Sequence, residues 1–144
     1  MIIGVHGALD VQIEVNGGNE VVLGVSTTIV CRYLKSASDT LIRIAFTYGP
    51  PNVNFRSNIA DFYLYSDDPN PRYYDPFMPP AYTITIDERD EGSFGTIELI
   101  IQSVSVDDAR RYWCDVSTLD VGYTGYADTT LTVIGKLQWC VYIF

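Results

Sequence analysis

Apolar side chains in this chain alternate with polar ones and do not recur at every third and fourth position, a period-two rhythm that predicts strands. Val11 to Val15 alternates cleanly, Gly17-Gly18-Asn19 reads as a turn, and Val21 to Leu23 follows as a short apolar run. Thr27 to Tyr33 makes the next strand. Leu41 to Tyr48 alternates again, with Ile42, Ile44 and Phe46 on the inward side and Arg43, Ala45 and Thr47 on the outward side, until Gly49-Pro50-Pro51 breaks it. Asp61 to Tyr65 predicts a short strand. The stretch holding Pro69, Pro71, Pro76, Pro79 and Pro80 predicts loop or sheet edge, because proline has no N–H to give to a ladder. Tyr82 to Asp87, Thr96 to Ile101, Arg111 to Ser117 and Thr129 to Ile134 complete a series of short strands separated by turns, which argues an all-β sandwich or barrel.

Composition narrows the chemistry. A chain of 144 residues, 47 % of them apolar, is long enough for one domain with its own core. The formal net charge of −9 repels nucleic acid and anionic lipid, so neither is expected as a partner. Direct membrane insertion is not expected either, because no apolar run approaches the length of a spanning helix. The first residues lack a basic segment and a long apolar core, so the chain is expected to be an excised ectodomain or a mature secreted domain with an added Met. None of its asparagines starts an Asn-x-Ser/Thr sequon, so N-glycosylation is not expected. The single histidine, His6, falls in the starting segment, and no nucleophile elbow, phosphate-binding loop or His-Glu-x-x-His motif occurs. Carboxylate pairs such as Asp67-Asp68 and Asp107-Asp108 are adjacent in sequence, and adjacent residues on a strand face opposite ways. No enzyme activity, cofactor or metal is expected.

Cys31 and Cys114 each fall at an inward position of an alternating strand. They are either bridged, which closes a long loop and is worth about 4–5 kcal/mol, or two free buried thiols. The residues before Cys114 favour the bridge. Asp108-Ala109-Arg110-Arg111-Tyr112-Trp113-Cys114 resembles the Asp-x-x-x-Tyr-x-Cys signature of immunoglobulin domains. Thr96 to Val104 is similar to strand E and the turn that follows it in antibody heavy-chain variable domains. Gly24 to Tyr33 resembles strand B, and Thr129 to Val133 resembles strand G. The Tyr-Trp-Cys triplet is similar to that of the polymeric immunoglobulin receptor group and of the chordate variable-region chitin-binding proteins. The resemblance implies an immunoglobulin-like V-type β-sandwich over residues 11–135, two antiparallel sheets in a Greek key, with a flexible segment 1–10 and a tail 136–144. It implies a Cys31–Cys114 disulfide, a tyrosine corner at Tyr112 and an acid at the turn into strand F in Asp108.

Departures accompany it. The usual strand C tryptophan is absent, so Ile42, Ile44 or Phe46 must fill the core beside the disulfide. Tyr82-Thr83 stands where an arginine usually pairs with Asp108, leaving Arg89 or Arg110 as substitutes. The long interval between the cysteines places extra residues within Pro50 to Pro80, where a V-type domain has strands C′ and C″.

Domains of this type recognise ligands through end loops and through the outward face of the sheet holding strands G, F and C. Alternation puts Arg43, Ala45, Thr47, Trp113 and Asp115 on that face, with Trp113 as an exposed aromatic anchor for a ligand or a homodimer; the alternative is a tryptophan covered by its own C–C′ segment. The loops carry Ser36, Ser38 and Asp39 on one side and Asp120, Tyr123 and Tyr126 on the other, a paratope-like mixture. Tyr63, Tyr65, Tyr73, Tyr74 and Phe77 among nearby aspartates could stack on sugars. The expected function is extracellular immune-type recognition of a protein or pathogen-surface ligand. The alternatives are a homophilic adhesion or dimerisation module and a secreted carbohydrate-binding V domain. Partners are therefore a protein, a surface glycan or a second copy. Cys140, left over, is free, intermolecular or a remnant.

Overall fold

The computed structural model describes residues 9–36, 38–52, 55–63, 70–89, 94–119 and 124–135. His6, Asp67, Asp68, Asp120, Tyr123, Tyr65 and Cys140 lie outside them.

Two antiparallel sheets pack into a sandwich. The four-stranded sheet runs β1 (Leu9–Val15), β3 (Thr27–Lys35), β8 (Phe94–Ile101), β7 (Tyr82–Arg89). The five-stranded sheet runs β10 (Thr124–Thr130), β9 (Arg111–Thr118), β4 (Leu41–Gly49), β5 (Ser57–Tyr63), β6 (Arg72–Tyr73). The chain changes sheet after β1 through a turn in which Gly17 and Gly18 take φ of 89° and 107°, a region open to glycine. Beyond it, β2 (Glu20–Val22) pairs in parallel with β11 (Thr132–Ile134). The predicted strand from Thr129 to Ile134 is thus two: it leaves β9 at Leu131, whose N–H donates to the Arg110 carbonyl, and continues beside β2.

The core forms where the inward sets of the two sheets meet. Ile29, Cys31 and Tyr33 from β3 and Ile97, Leu99 and Ile101 from β8 face Ile44 and Phe46 from β4 and Tyr112, Cys114 and Val116 from β9, all buried. Each large apolar side chain so buried contributes roughly 1.5–3 kcal/mol. The disulfide joins β3 to β9 with the Cα atoms 6.2 Å apart and 83 positions between them in sequence. Phe46 pairs with Cys114 across the strands and takes up core space where a tryptophan was missing. Tyr33 fills more of it. Its ring lies over Gly95, where a Cβ would come within 2.5 Å of it.

Ile42, expected inward, is only half-buried. The pairing of β4 with β9 slips between Leu41 and Arg43, so Leu41 takes the core position and Ile42 is the extra residue of a bulge. A second slip, between Phe46 and Thr47 against β5, makes Ile59 the extra residue there. The strand expected at Asp61 to Tyr65 begins earlier, at Ser57, and the proline-rich stretch supplies the two-residue edge strand β6. At the border of the other sheet, the Tyr73 hydroxyl accepts the Ile84 N–H of β7 at 2.8 Å.

A 3-10 turn, Val106–Asp108, leads into β9. Asp108 is fully buried, and its carboxylate accepts from the Ser105 N–H at 2.7 Å, the Ser105 hydroxyl at 3.2 Å and the Tyr82 hydroxyl at 2.7 Å. Tyr112 donates its hydroxyl to the Asp108 carbonyl at 2.7 Å, the geometry of a tyrosine corner. The Tyr82 hydroxyl therefore serves Asp108. Arg110 instead lies over the rings of Tyr48 and Phe77, at 4.5 and 5.1 Å, and the side chain of Arg89 lies outside the described set.

Candidate functional site

The outward face of the five-stranded sheet is assembled by register. One row crosses all five strands: Tyr126, Asp115, Ala45, Asp61, Arg72. The row beside it runs Asp128, Trp113, Thr47, Asn58, and on the other side Ser117, Arg43 and Tyr63 align. Residues far apart in sequence thus share one surface, since strand partners face the same way.

Two charged clusters organise it. In the first, Asp61 is almost fully buried and accepts from Arg43 Nη2 at 3.1 Å, from Arg72 Nε and Nη2 at 3.2 and 3.1 Å, and from the Tyr74 hydroxyl at 2.8 Å. Burial alone would raise the Asp61 pKa, but the hydrogen bonds from Arg72, Tyr74 and Arg43 and the charge of Arg72 outweigh it, so the group sits below the usual carboxylate range. Tyr63 stands beside both guanidiniums, 5.4 Å from Arg43 and 5.9 Å from Arg72.

In the second cluster, Trp113 lies between two arginines, Arg56 at 4.9 Å and Arg111 at 4.6 Å from ring centroid. Arg56 reaches back from the segment between β4 and β5 to bond the Thr47 hydroxyl at 3.1 Å and the Asp115 carboxylate; Arg111 bonds Asp128 at 2.8 Å. Burial raises the Asp115 pKa, and the charge and hydrogen bond of Arg56 only partly offset it. Trp113 was expected to be an exposed anchor or, alternatively, covered by its own C–C′ segment, and the second arrangement is the one found, with Arg56 supplied by the segment between β4 and β5. The tryptophan points outward but is 3 % exposed, because the cation–π stack covers it. Ala45 and Thr47 also point outward and are buried in the same lattice. No protein-family model matches this chain, and no curated protein matches it. What the surface does therefore rests on its own geometry.

The loop residues divide differently from the sequence expectation. Ser36 and Ser38 join through their hydroxyls at 3.0 Å. Asp39 is 4 % exposed, and its carboxylate accepts the Thr40 N–H at 2.8 Å, so it shapes the loop from inside and does not project as a contact. Lys35, which sequence reasoning passed over, is buried beneath the loop and donates to the Asp39 and Ser36 carbonyls at 2.7 and 3.2 Å. Its signal was an inward place in the Thr27, Ile29, Cys31, Tyr33 series. The Leu119 N–H ties the neighbouring loop to the Thr40 carbonyl at 2.8 Å. Tyr126 is not a loop residue: β10 begins at Thr124, and Tyr126 stands 64 % exposed on the sheet face opposite Asp115. Arg56, Arg72 and Arg111 are the other site members not foreseen; Asp61 was among the aspartates read beside Tyr63 and Tyr74, but as a sugar contact and not as the buried partner of two arginines. Among the described residues no group of acidic, histidine or cysteine side chains is placed to hold a metal ion.

Proposed function

We propose that this chain is an immunoglobulin V-type recognition domain, working outside the cell and without catalysis, that binds a protein through the outward face of its five-stranded sheet. The strand order supports the V-type reading. The order β1-β3-β8-β7 corresponds to A-B-E-D, and β10-β9-β4-β5-β6 to G-F-C-C′-C″. The bridge between the sheets suits an oxidising compartment. The observation that carries the functional reading is the makeup of the face. Arg43, Arg56, Arg72 and Arg111 stand there with exposed Tyr63 and Tyr126, and arginine and tyrosine are the residue types that dominate binding energy at protein interfaces. Buried Asp61, half-buried Asp115 and exposed Asp128 pair with those arginines and hold them in place, which lowers the ordering cost of association.

The test is a binding screen of the secreted, disulfide-bonded chain against arrayed ectodomains and microbial surfaces. Any partner is then measured against Arg72→Glu and Tyr126→Ala on the face, and against Thr85→Ala on the other sheet. Loss of about tenfold or more in affinity for the face variants, with Thr85→Ala unchanged, is expected. Equal binding by all three would overturn the assignment of the face.

A further inference from the structure

Resting on that reading of the face, we propose that its ligand is a protein surface rich in carboxylates, seated over the β4–β5–β6 end around Arg43, Tyr63 and Arg72, and that it is not a second copy of this chain. The charge of the molecule is unevenly divided. Among the described residues this face holds four of the chain's nine lysines and arginines but only three of its eighteen aspartates and glutamates, namely Asp61, Asp115 and Asp128. Among the described residues the face therefore carries a positive excess, in a chain whose formal charge is −9.

The excess is sharpest beside Asp61. One carboxylate there accepts from two guanidiniums and a phenol, so a second negative group from outside meets two cations already fixed in direction. The Arg72 side chain is 63 % exposed and that of Arg43 28 %, while Asp61 is 1 % exposed: solvent sees the cations and not the anion. Tyr63, 42 % exposed, lines the same spot and adds apolar contact area next to the charge.

Three competing occupants fit less well. Two copies meeting through this face would set positive excess on positive excess and bring two strongly acidic molecules together. A nucleic acid or other long polyanion would overrun the patch onto the acidic remainder of the surface. A sugar needs carboxylates free to accept from its hydroxyls, whereas Asp61 is 1 % exposed and already accepts from Arg43, Arg72 and Tyr74.

The experiment is an NMR titration of the full chain with hexaglutamate, hexaglutamine, hexalysine and sialyllactose. It is run at about 50 and about 300 mM NaCl, across which screening shortens sharply. The expected result is hexaglutamate-induced shifts confined to β4, β5 and β6, weakened several-fold by salt. Arg72→Gln, an exposed change whose folding the same spectrum reports, should lower the affinity about fivefold or more. Any of four results overturns the proposal: no response to hexaglutamate, an equal response to hexalysine, a response to sialyllactose alone, or concentration-dependent dimerisation in sedimentation that Arg72→Gln abolishes. Shifts confined to residues 38–40 also overturn it but leave the domain a recognition module. If face variants abolish binding in the screen while hexaglutamate is silent, only the acidic chemistry fails.

Discussion

The Tyr82 hydroxyl reaches Oδ1 of Asp108 at 2.7 Å, from the first position of β7 to a carboxylate with no exposure to solvent. The donor is a neutral phenol, from the position where the sequence reading looked for an arginine. Tyr82→Phe leaves that oxygen short of a partner and should cost about 1–3 kcal/mol, read as a lower urea midpoint at unchanged slope. Burial first, and then the bond to Asp108, push the Tyr82 pKa up to about 12. With the folded value above the unfolded one, the contribution is complete below about pH 10 and is lost as pH rises from about 10 to about 12. Tyr82→Phe should make the alkaline fall in stability shallower; an identical alkaline limb in both proteins would refute the assignment.

Trp113 under its two arginines is a stability residue before it is a binding residue. Trp113→Ala should cost about 3–5 kcal/mol, whereas an exposed contact tryptophan would change the denaturation midpoint little. Arg56→Ala should cost far less, about 0.5–1 kcal/mol, and shift tryptophan emission to the red as water reaches the ring.

The backbone was largely legible from the sequence, and the surface was not. Val11 to Val15, Thr27 to Tyr33 and Thr96 to Ile101 alternate because one face packs and the other is wet, and β1, β3 and β8 cover them. The first five residues of β10, 124–128, escaped notice because the inward ones include Gly125 and Ala127, too small to produce an apolar rhythm. Leu41 displaced Ile42 because a bulge shifts the phase of the alternation, which no count by twos can register. Orientation also differs from exposure. Alternation turned Trp113 outward correctly, yet Arg56, from a segment with no periodic signal, folds over it. The Asp61 cluster draws on positions 43, 61, 72 and 74, which only sheet pairing brings together.

Asp61 should mark the acid limit of stability. Its folded pKa is lowered, so its contribution is present above the unfolded carboxylate range and disappears as pH falls through the folded value. Asp61→Asn should cost about 1–2 kcal/mol near neutrality, a figure kept modest by the exposure of Arg72. The difference from the parent should shrink toward strongly acidic pH in parallel urea titrations. A constant difference down to the lowest pH would contradict this.

Gly95 gives Tyr33 its room. Gly95→Ala forces a methyl into the ring and should cost about 1–3 kcal/mol. Tyr33→Leu is destabilising by itself, but the two changes together should cost less than their sum, with a coupling of about 1 kcal/mol in a double-mutant cycle. Strict additivity would show that the two residues do not compete for space.

The bond from the Ile84 N–H to the Tyr73 hydroxyl shuts one border of the sandwich. A backbone donor on an outer strand is an invitation to any passing extended segment, and here it is already spent on a residue of the opposite sheet. A foreign chain cannot dock by extending the sheet at that point. Contact at that border is thereby left to side chains.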